Sequence, residues 1–161
     1  MKFSVATIAG FASAISAASL PAAFTLVADG GATVLTDGEH AFIGANATKN
    51  EILILRGNGE NSPVSFTSKN AKTPTAFQSL YVVDKSVEPV GLTVPHSGAV
   101  PEGGSTTGFG VNKDGYFTHN GNAWFAVDGY GENPVKEIYW YGAHNSEYKA
   151  ANLWVKECKG C

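Results

Sequence analysis

The segment that decides the fold runs from Gly108 to Gly129 and reads GFGVNKDGYFTHNGNAWFAVDG. Its short apolar runs end at Asp114-Gly115, Asn120-Gly121 and Asp128-Gly129. Such dipeptides suit the positive-φ positions of tight hairpin turns. The apolar spacing of a long amphipathic helix is missing from it. The segment therefore predicts short antiparallel strands joined by tight turns.

The same pattern continues through the chain after residue 18 and predicts an all-β domain of about twelve short strands. The predicted strands are Phe24–Ala28, Ala32–Leu35, His40–Gly44, Ile52–Leu55, Val64–Ser68, Leu80–Val83, Val90–Val94, Gly108–Val111, Tyr116–Thr118, Ala123–Val127, Glu137–Tyr141 and Leu153–Val155.

The strands also repeat with a regular spacing. Phe24, Phe66, Phe109 and Leu153 are separated by 42, 43 and 44 residues. Three units of about four strands favour a β-trefoil, because three blades are too few for a propeller. Phe24, Phe66 and Phe109 would then be equivalent buried positions, and either the first strand or that at Leu153 would be accessory. The alternatives are a β-sandwich and a Greek-key barrel.

The first 18 residues have the three-part layout of a secretory signal peptide. A basic start at Lys2 precedes the uncharged run Phe3–Ile15, and the small residues Ser16-Ala17-Ala18 follow. The apolar run is too short to span about 30 Å of hydrocarbon. We expect cleavage after Ala18, which leaves one domain over residues 19–161 and a secreted protein.

Composition limits the partners. Charged residues make up 16% of the chain, against about 25% in typical domains. Loss of Lys2 leaves ten basic and fourteen acidic residues, a net charge of −4. No basic run is present to neutralise phosphates, so we expect no nucleic-acid partner. No apolar run after residue 18 reaches a membrane-spanning length, and the oligomeric state stays open.

No local motif predicts a catalytic, metal or cofactor site. The histidines stand on four separate segments, at His40, His96, His119 and His144. Most turn aspartates precede glycine, where a turn-forming role is commoner than a catalytic one. We therefore expect no enzyme; a hydrolase with carboxylates paired only in space is the last alternative.

Aromatic residues concentrate near the end of the chain. In a strand, Tyr139 and Tyr141 share one face while Trp140 takes the other, so one set is expected in the core. Core packing alone is the favoured interpretation of these aromatic residues. The alternative is that the other set, with Tyr130 and Tyr148 in loops, forms a surface on which sugar rings stack.

The two cysteines, Cys158 and Cys161, form a Cys-Lys-Gly-Cys sequence. A redox motif would open a helix, and a metal site would need two further ligands. A local disulfide, intermolecular disulfides and a redox or metal role stay open.

Several segments resemble fungal cell-wall mannoproteins: the yeast CWP type, the C-terminal domain of PIR-type proteins and the PhiA-like wall proteins. The similarity lies in Thr107–Tyr116, Ala123–Gly129, Ala23–Ala28 and Leu80–Asp84. The resemblance implies a secreted, non-enzymatic structural protein of the fungal cell wall or extracellular matrix. Its partners would be wall polysaccharide or other wall proteins.

This chain departs from that pattern. It has no glutamine-containing PIR repeat, no glycolipid-anchor signal and only two cysteines, so no attachment residue carries over. Two other functions stay open: a secreted glycan-binding, lectin-like module, and a small secreted effector or allergen.

Asn46 is predicted to carry an N-linked glycan, because Asn46-Ala47-Thr48 is a sequon just after a predicted strand. Enzymatic deglycosylation of protein secreted from a eukaryotic host should lower its mass, and Thr48→Ala should remove the shift. An unchanged mass in the wild type would contradict the prediction.

Overall fold

Side chains along the chain alternate between buried and accessible positions with the period of a β-strand. Gln78, Leu80 and Val82 are buried, while Ser79 and Tyr81 between them are partly exposed. One face of such a strand packs on a core and the other meets solvent. The structure, a computed structural model, describes residues 19–57, 59, 62–73, 75–129, 131–141 and 147–161. The predicted signal segment, residues 1–18, lies outside them.

Within these residues the chain forms sixteen strands and no helix, which confirms the all-β prediction. Each predicted strand overlaps an observed one, but Ala32–Leu35 does so only at Leu35, and Ile52–Leu55 is divided between two. Three further strands were not predicted: Val87–Pro89, Gly104–Ser105 and Tyr148–Ala150. The strands are β1 (Ala23–Ala28), β2 (Leu35–Thr36), β3 (Ala41–Ile43), β4 (Glu51–Ile52), β5 (Leu55–Gly57), β6 (Val64–Phe66), β7 (Gln78–Val83), β8 (Val87–Pro89), β9 (Gly91–Leu92), β10 (Gly104–Ser105), β11 (Phe109–Val111), β12 (Phe117–His119), β13 (Phe125–Asp128), β14 (Lys136–Tyr141), β15 (Tyr148–Ala150) and β16 (Leu153–Glu157).

The strands pair into two seven-stranded antiparallel sheets and one hairpin. The first sheet has the order β10-β7-β6-β5-β1-β16, with β9 also paired to β7. The second has the order β15-β13-β14-β3-β2-β4, with β8 also paired to β14. Strands β11 and β12 form the hairpin. This is a sandwich-like arrangement.

The turn after β12 shows how the Gly108–Gly129 segment folds. Asn120 and Gly121 both have positive φ, 49° and 80°. His119 and Asn122 exchange backbone hydrogen bonds of 2.9 and 3.0 Å across them. This is the two-residue turn that Asn-Gly favours. Gly129, by contrast, does not adopt a positive φ.

One hydrophobic core joins the two sheets and the hairpin. Phe117 of the hairpin lies at its centre. Its ring centroid is 5.4 Å from that of Phe109, 5.5 Å from that of Phe125 in the second sheet and 5.9 Å from that of Phe24 in the first. Phe125 in turn contacts Trp140 edge-on at 5.2 Å. Aromatic stacking therefore runs from one sheet to the other.

The trefoil prediction is not confirmed. Phe24, Phe66 and Phe109 are buried as predicted, but their strands have different neighbours. Strand β1 lies between β16 and β5, β6 lies between β5 and β7, and β11 pairs only with β12 among the described strands. The regular spacing of these phenylalanines shows that buried strands recur along the chain. It does not determine which strands pair.

The expectation of an accessory first or last strand was wrong. Strand β16 pairs with β1 over five residues, from Phe24 opposite Glu157 to Ala28 opposite Leu153. Both strands belong to the first sheet, and Leu153 is buried in the core.

Phe66→Ala should lower the free energy of unfolding by about 3–5 kcal/mol, because it leaves a cavity in this core. Chemical denaturation measures the change. Phe77→Ala is the matched control: Phe77 is 56% exposed, so its truncation should cost far less. Equal losses from the two variants would contradict the described core.

Candidate functional site

Strand β14 separates a core face from a solvent face. Ile138 and Trp140 point into the core and are almost fully buried. Glu137, Tyr139 and Tyr141 alternate with them and stay partly exposed. The structure thus assigns Trp140 to the core and the two tyrosines to the outer face, as strand periodicity predicts.

Tyr148 joins the same outer face. It lies in strand β15, not in the predicted loop, and stands opposite Asp128 of β13. Its ring centroid is 4.7 Å from that of Tyr139, with the planes 57° apart. The residue of β13 opposite Tyr139 is Ala126, whose small side chain lets the two rings meet. We call the outer surface of Glu137, Tyr139, Tyr141 and Tyr148 the tyrosine face.

Glu137 supplies negative charge to this face, and Asp128, which stands opposite Tyr148, adds to it. One carboxylate oxygen accepts a hydrogen bond of 3.4 Å from the hydroxyl of Tyr139. The other lies 3.3 Å from Nδ1 of His40. Burial, followed by the negative charge of Glu137, raises the pKa of Tyr139 to about 12. At neutral pH Tyr139 is therefore a protonated phenol whose position is fixed by Glu137.

A half-buried tyrosine with a fixed hydroxyl suits contact with a sugar. The apolar face of a pyranose ring packs on an aromatic ring, while carboxylate and hydroxyl groups hydrogen-bond its hydroxyls. The predicted fourth member of the aromatic set, Tyr130, lies outside the described residues, as does His144.

Asn46 is exposed in the loop between β3 and β4. Its side-chain oxygen accepts hydrogen bonds from the backbone N–H of Thr48, at 2.9 Å, and from the Thr48 hydroxyl, at 2.8 Å. Gly44 begins this loop with a φ of 75°. A side chain at position 44 would also collide with the carbonyl oxygen of Pro134. The sequon is therefore on the surface.

Cys158 and Cys161 are joined by a disulfide. Of the alternatives that the sequence left open, the structure shows the local disulfide. The backbone N–H of Cys158 donates a hydrogen bond of 2.9 Å to the carbonyl of Ala23. The short disulfide loop is thereby held against β1.

Sequence reasoning missed a contact between a buried histidine and a partly exposed aspartate. Nε2 of His119 lies 2.5 Å from Oδ1 of Asp84. The His119 ring is fully buried and packs against Phe109 and Trp140. Its Nδ1 has no hydrogen-bond partner within the described structure. The residues are 35 positions apart in the chain, so no local motif marks them.

The geometry of the His119–Asp84 contact suits a structural role. A general base must reach the proton that it abstracts, whereas the His119 side chain has no solvent exposure. The contact fastens the end of β12 to the loop after β7. Across the described ranges, no group of three or more His, Cys, Asp or Glu side chains is placed to hold a metal ion.

A comparison with known proteins found no matching family model, curated protein or solved structure. Over the described ranges the chain contains no helix long and apolar enough to cross a membrane.

Glu137→Gln should lower the pKa of Tyr139 but leave it above the ordinary value of 10.0, because burial is the larger cause of the increase. Carbon NMR of labelled tyrosine rings measures the titration, and Tyr139→Phe identifies the signal. An unchanged pKa in Glu137→Gln would contradict the contact between the two residues.

Proposed function

We propose that this chain is a non-enzymatic, secreted structural protein of the fungal cell wall or extracellular matrix, which contacts wall polysaccharide through the tyrosine face. The observation that carries the proposal is the pair of rings of Tyr139 and Tyr148, in contact on the outer side of a sheet whose inner side is core.

The sheet gives this face rigidity. Tyr139 is held between β13 and β8, opposite Ala126 and Pro89. A side chain already ordered in the free protein loses little conformational entropy on binding. A polysaccharide offers many equivalent rings, so weak contacts repeated along the polymer give useful overall affinity.

The resemblance to wall mannoproteins supports the wall location, and the predicted signal peptide supports secretion. The sequon at Asn46 lies on the loop joining β3 to β4. This loop lies outside strands β14 and β15, which carry the tyrosines, and the strand before it, β3, pairs with the start of β14.

A secreted, lectin-like glycan-binding module is the second candidate, and the same rings favour it. The two functions differ in the length of glycan that is needed for binding. A lectin holds a short soluble oligosaccharide, whereas a structural wall protein needs the repeated polymer. Measuring affinity against oligosaccharides of increasing length distinguishes them.

Combining Tyr139→Ala with Tyr148→Ala should weaken binding to insoluble wall polysaccharide about tenfold, through the loss of two stacking surfaces. A sedimentation assay with purified protein measures this. The variant Tyr139→Phe with Tyr148→Phe keeps both rings and should keep most of the binding.

Trp154→Ala is the control for loss of an exposed aromatic ring elsewhere. Trp154 is 42% exposed and lies in β16 of the first sheet. Circular dichroism should show that all three variants are folded. Full binding by the double alanine variant, or equal loss in Trp154→Ala, would contradict the proposal.

A further inference from the structure

A cleft opens beside the tyrosine face, where β8 pairs with β14. Its volume is about 380 Å³, within the range of roughly 300–1,000 Å³ common for small-molecule sites. Pro89 lines this cleft and also stands opposite Tyr139, so the two surfaces adjoin. We call it the acidic cleft; it is lined by His40, Tyr81, Val83, Ser86, Glu88, Pro89, Pro101 and Glu102.

Tyr81 supplies an aromatic ring in a fixed position. The ring lies against the backbone of Gly91, where an added Cβ would come within 2.4 Å of it. Glycine at position 91 is thus required for the ring to pack on strand β9. Tyr81 and the two prolines give the cleft apolar surface suited to one side of a sugar ring.

The charge lining the cleft is negative. Glu88 and Glu102 are exposed, and neither side-chain carboxylate makes a hydrogen bond or ion pair within the described structure. No lysine or arginine is among the lining residues. His40 is the one basic lining residue, and its Nδ1 faces Glu137.

The surroundings of Tyr81 reflect the same negative field. Burial is the largest cause that raises the pKa of its hydroxyl, and the charges of Glu88 and Glu39 raise it further. The carboxylate of Glu88 in the cleft and that of Glu39, just before His40, therefore both place negative charge near the Tyr81 hydroxyl.

We infer that the acidic cleft binds a sugar unit carrying a free, protonated amine, so that the polysaccharide recognised by this protein is an amino-sugar polymer. Glu88 and Glu102 pair with the ammonium group, and the ring of the sugar packs on Tyr81. The inference rests on the proposed function, since the polymer continues from the cleft across the tyrosine face.

The test compares two polymers of one chain length that differ only in the amine: a glucosamine oligomer and its fully N-acetylated form. Wild-type protein should bind the glucosamine oligomer about tenfold more tightly. Raising the salt from about 0.05 to about 0.5 M should reduce this preference, because screening weakens exposed charge pairs.

Glu88→Gln with Glu102→Gln should abolish the preference, so that the glucosamine oligomer binds no more tightly than the N-acetylated oligomer. Glu157→Gln is the matched control, because it removes an exposed carboxylate from β16 of the first sheet. Tyr139→Ala should weaken binding of both oligomers, since the tyrosine face contacts either polymer.

Equal affinity for the two oligomers, with Tyr139→Ala still weakening both, would overturn the amino-sugar inference and leave the proposed function standing. Failure to bind either oligomer or any wall polymer would overturn both. Tighter binding of polylysine than of the glucosamine oligomer, with the same dependence on Glu88 and Glu102, would show a basic protein to be the ligand and overturn the inference.

Discussion

The packing of Phe117 against three other phenylalanines is the interaction on which the rest of the structure depends. Phe24 belongs to the first sheet, Phe125 to the second, and Phe109 shares the hairpin with Phe117. All four rings are buried, and burial of aromatic surface is the dominant favourable contribution in a core of this kind. The hairpin therefore carries aromatic packing from one sheet to the other, and it meets the first sheet through the backbone bridge between Tyr116 and Trp154. The two sheets also meet directly, through the bridge between His40 and Gly91.

The tyrosine face follows from that core. Trp140 packs against Phe125 in the core, and Ile138 lies in the same core. Successive side chains of a strand such as β14 point to opposite faces. Tyr139 and Tyr141 must then point outward. The small side chain of Ala126 on β13 leaves space for the ring of Tyr148 to contact the ring of Tyr139. The candidate site is thus the outer side of a strand whose inner side is fixed by hydrophobic packing, which explains its rigidity. His119 packs against Trp140 on the inner side of the same strand.

Local features were predictable from the sequence, whereas long-range contacts were not. Alternating runs and Asn120-Gly121 predicted strands and a turn, because strand period and positive-φ turn chemistry are local properties. The opposite orientation of Tyr139 and Trp140 followed for the same reason. The pairing of β1 with β16, the contact of Glu137 with His40 and the placement of Tyr148 in a strand depend on register between distant segments. The regular spacing of Phe24, Phe66 and Phe109 contains no information on register, so it suggested a threefold symmetry that the strand pairing does not confirm.

The central claim is that wall polysaccharide meets the outer side of the second sheet and the acidic cleft that adjoins it. Backbone NMR of labelled protein during titration with a soluble fragment of wall polysaccharide tests it residue by residue. The account predicts chemical-shift changes in β8, β13, β14 and β15, with little change in β1, β5 and β16 of the first sheet. Changes centred on Trp154 and β16, with the tyrosine face unaffected, would contradict it.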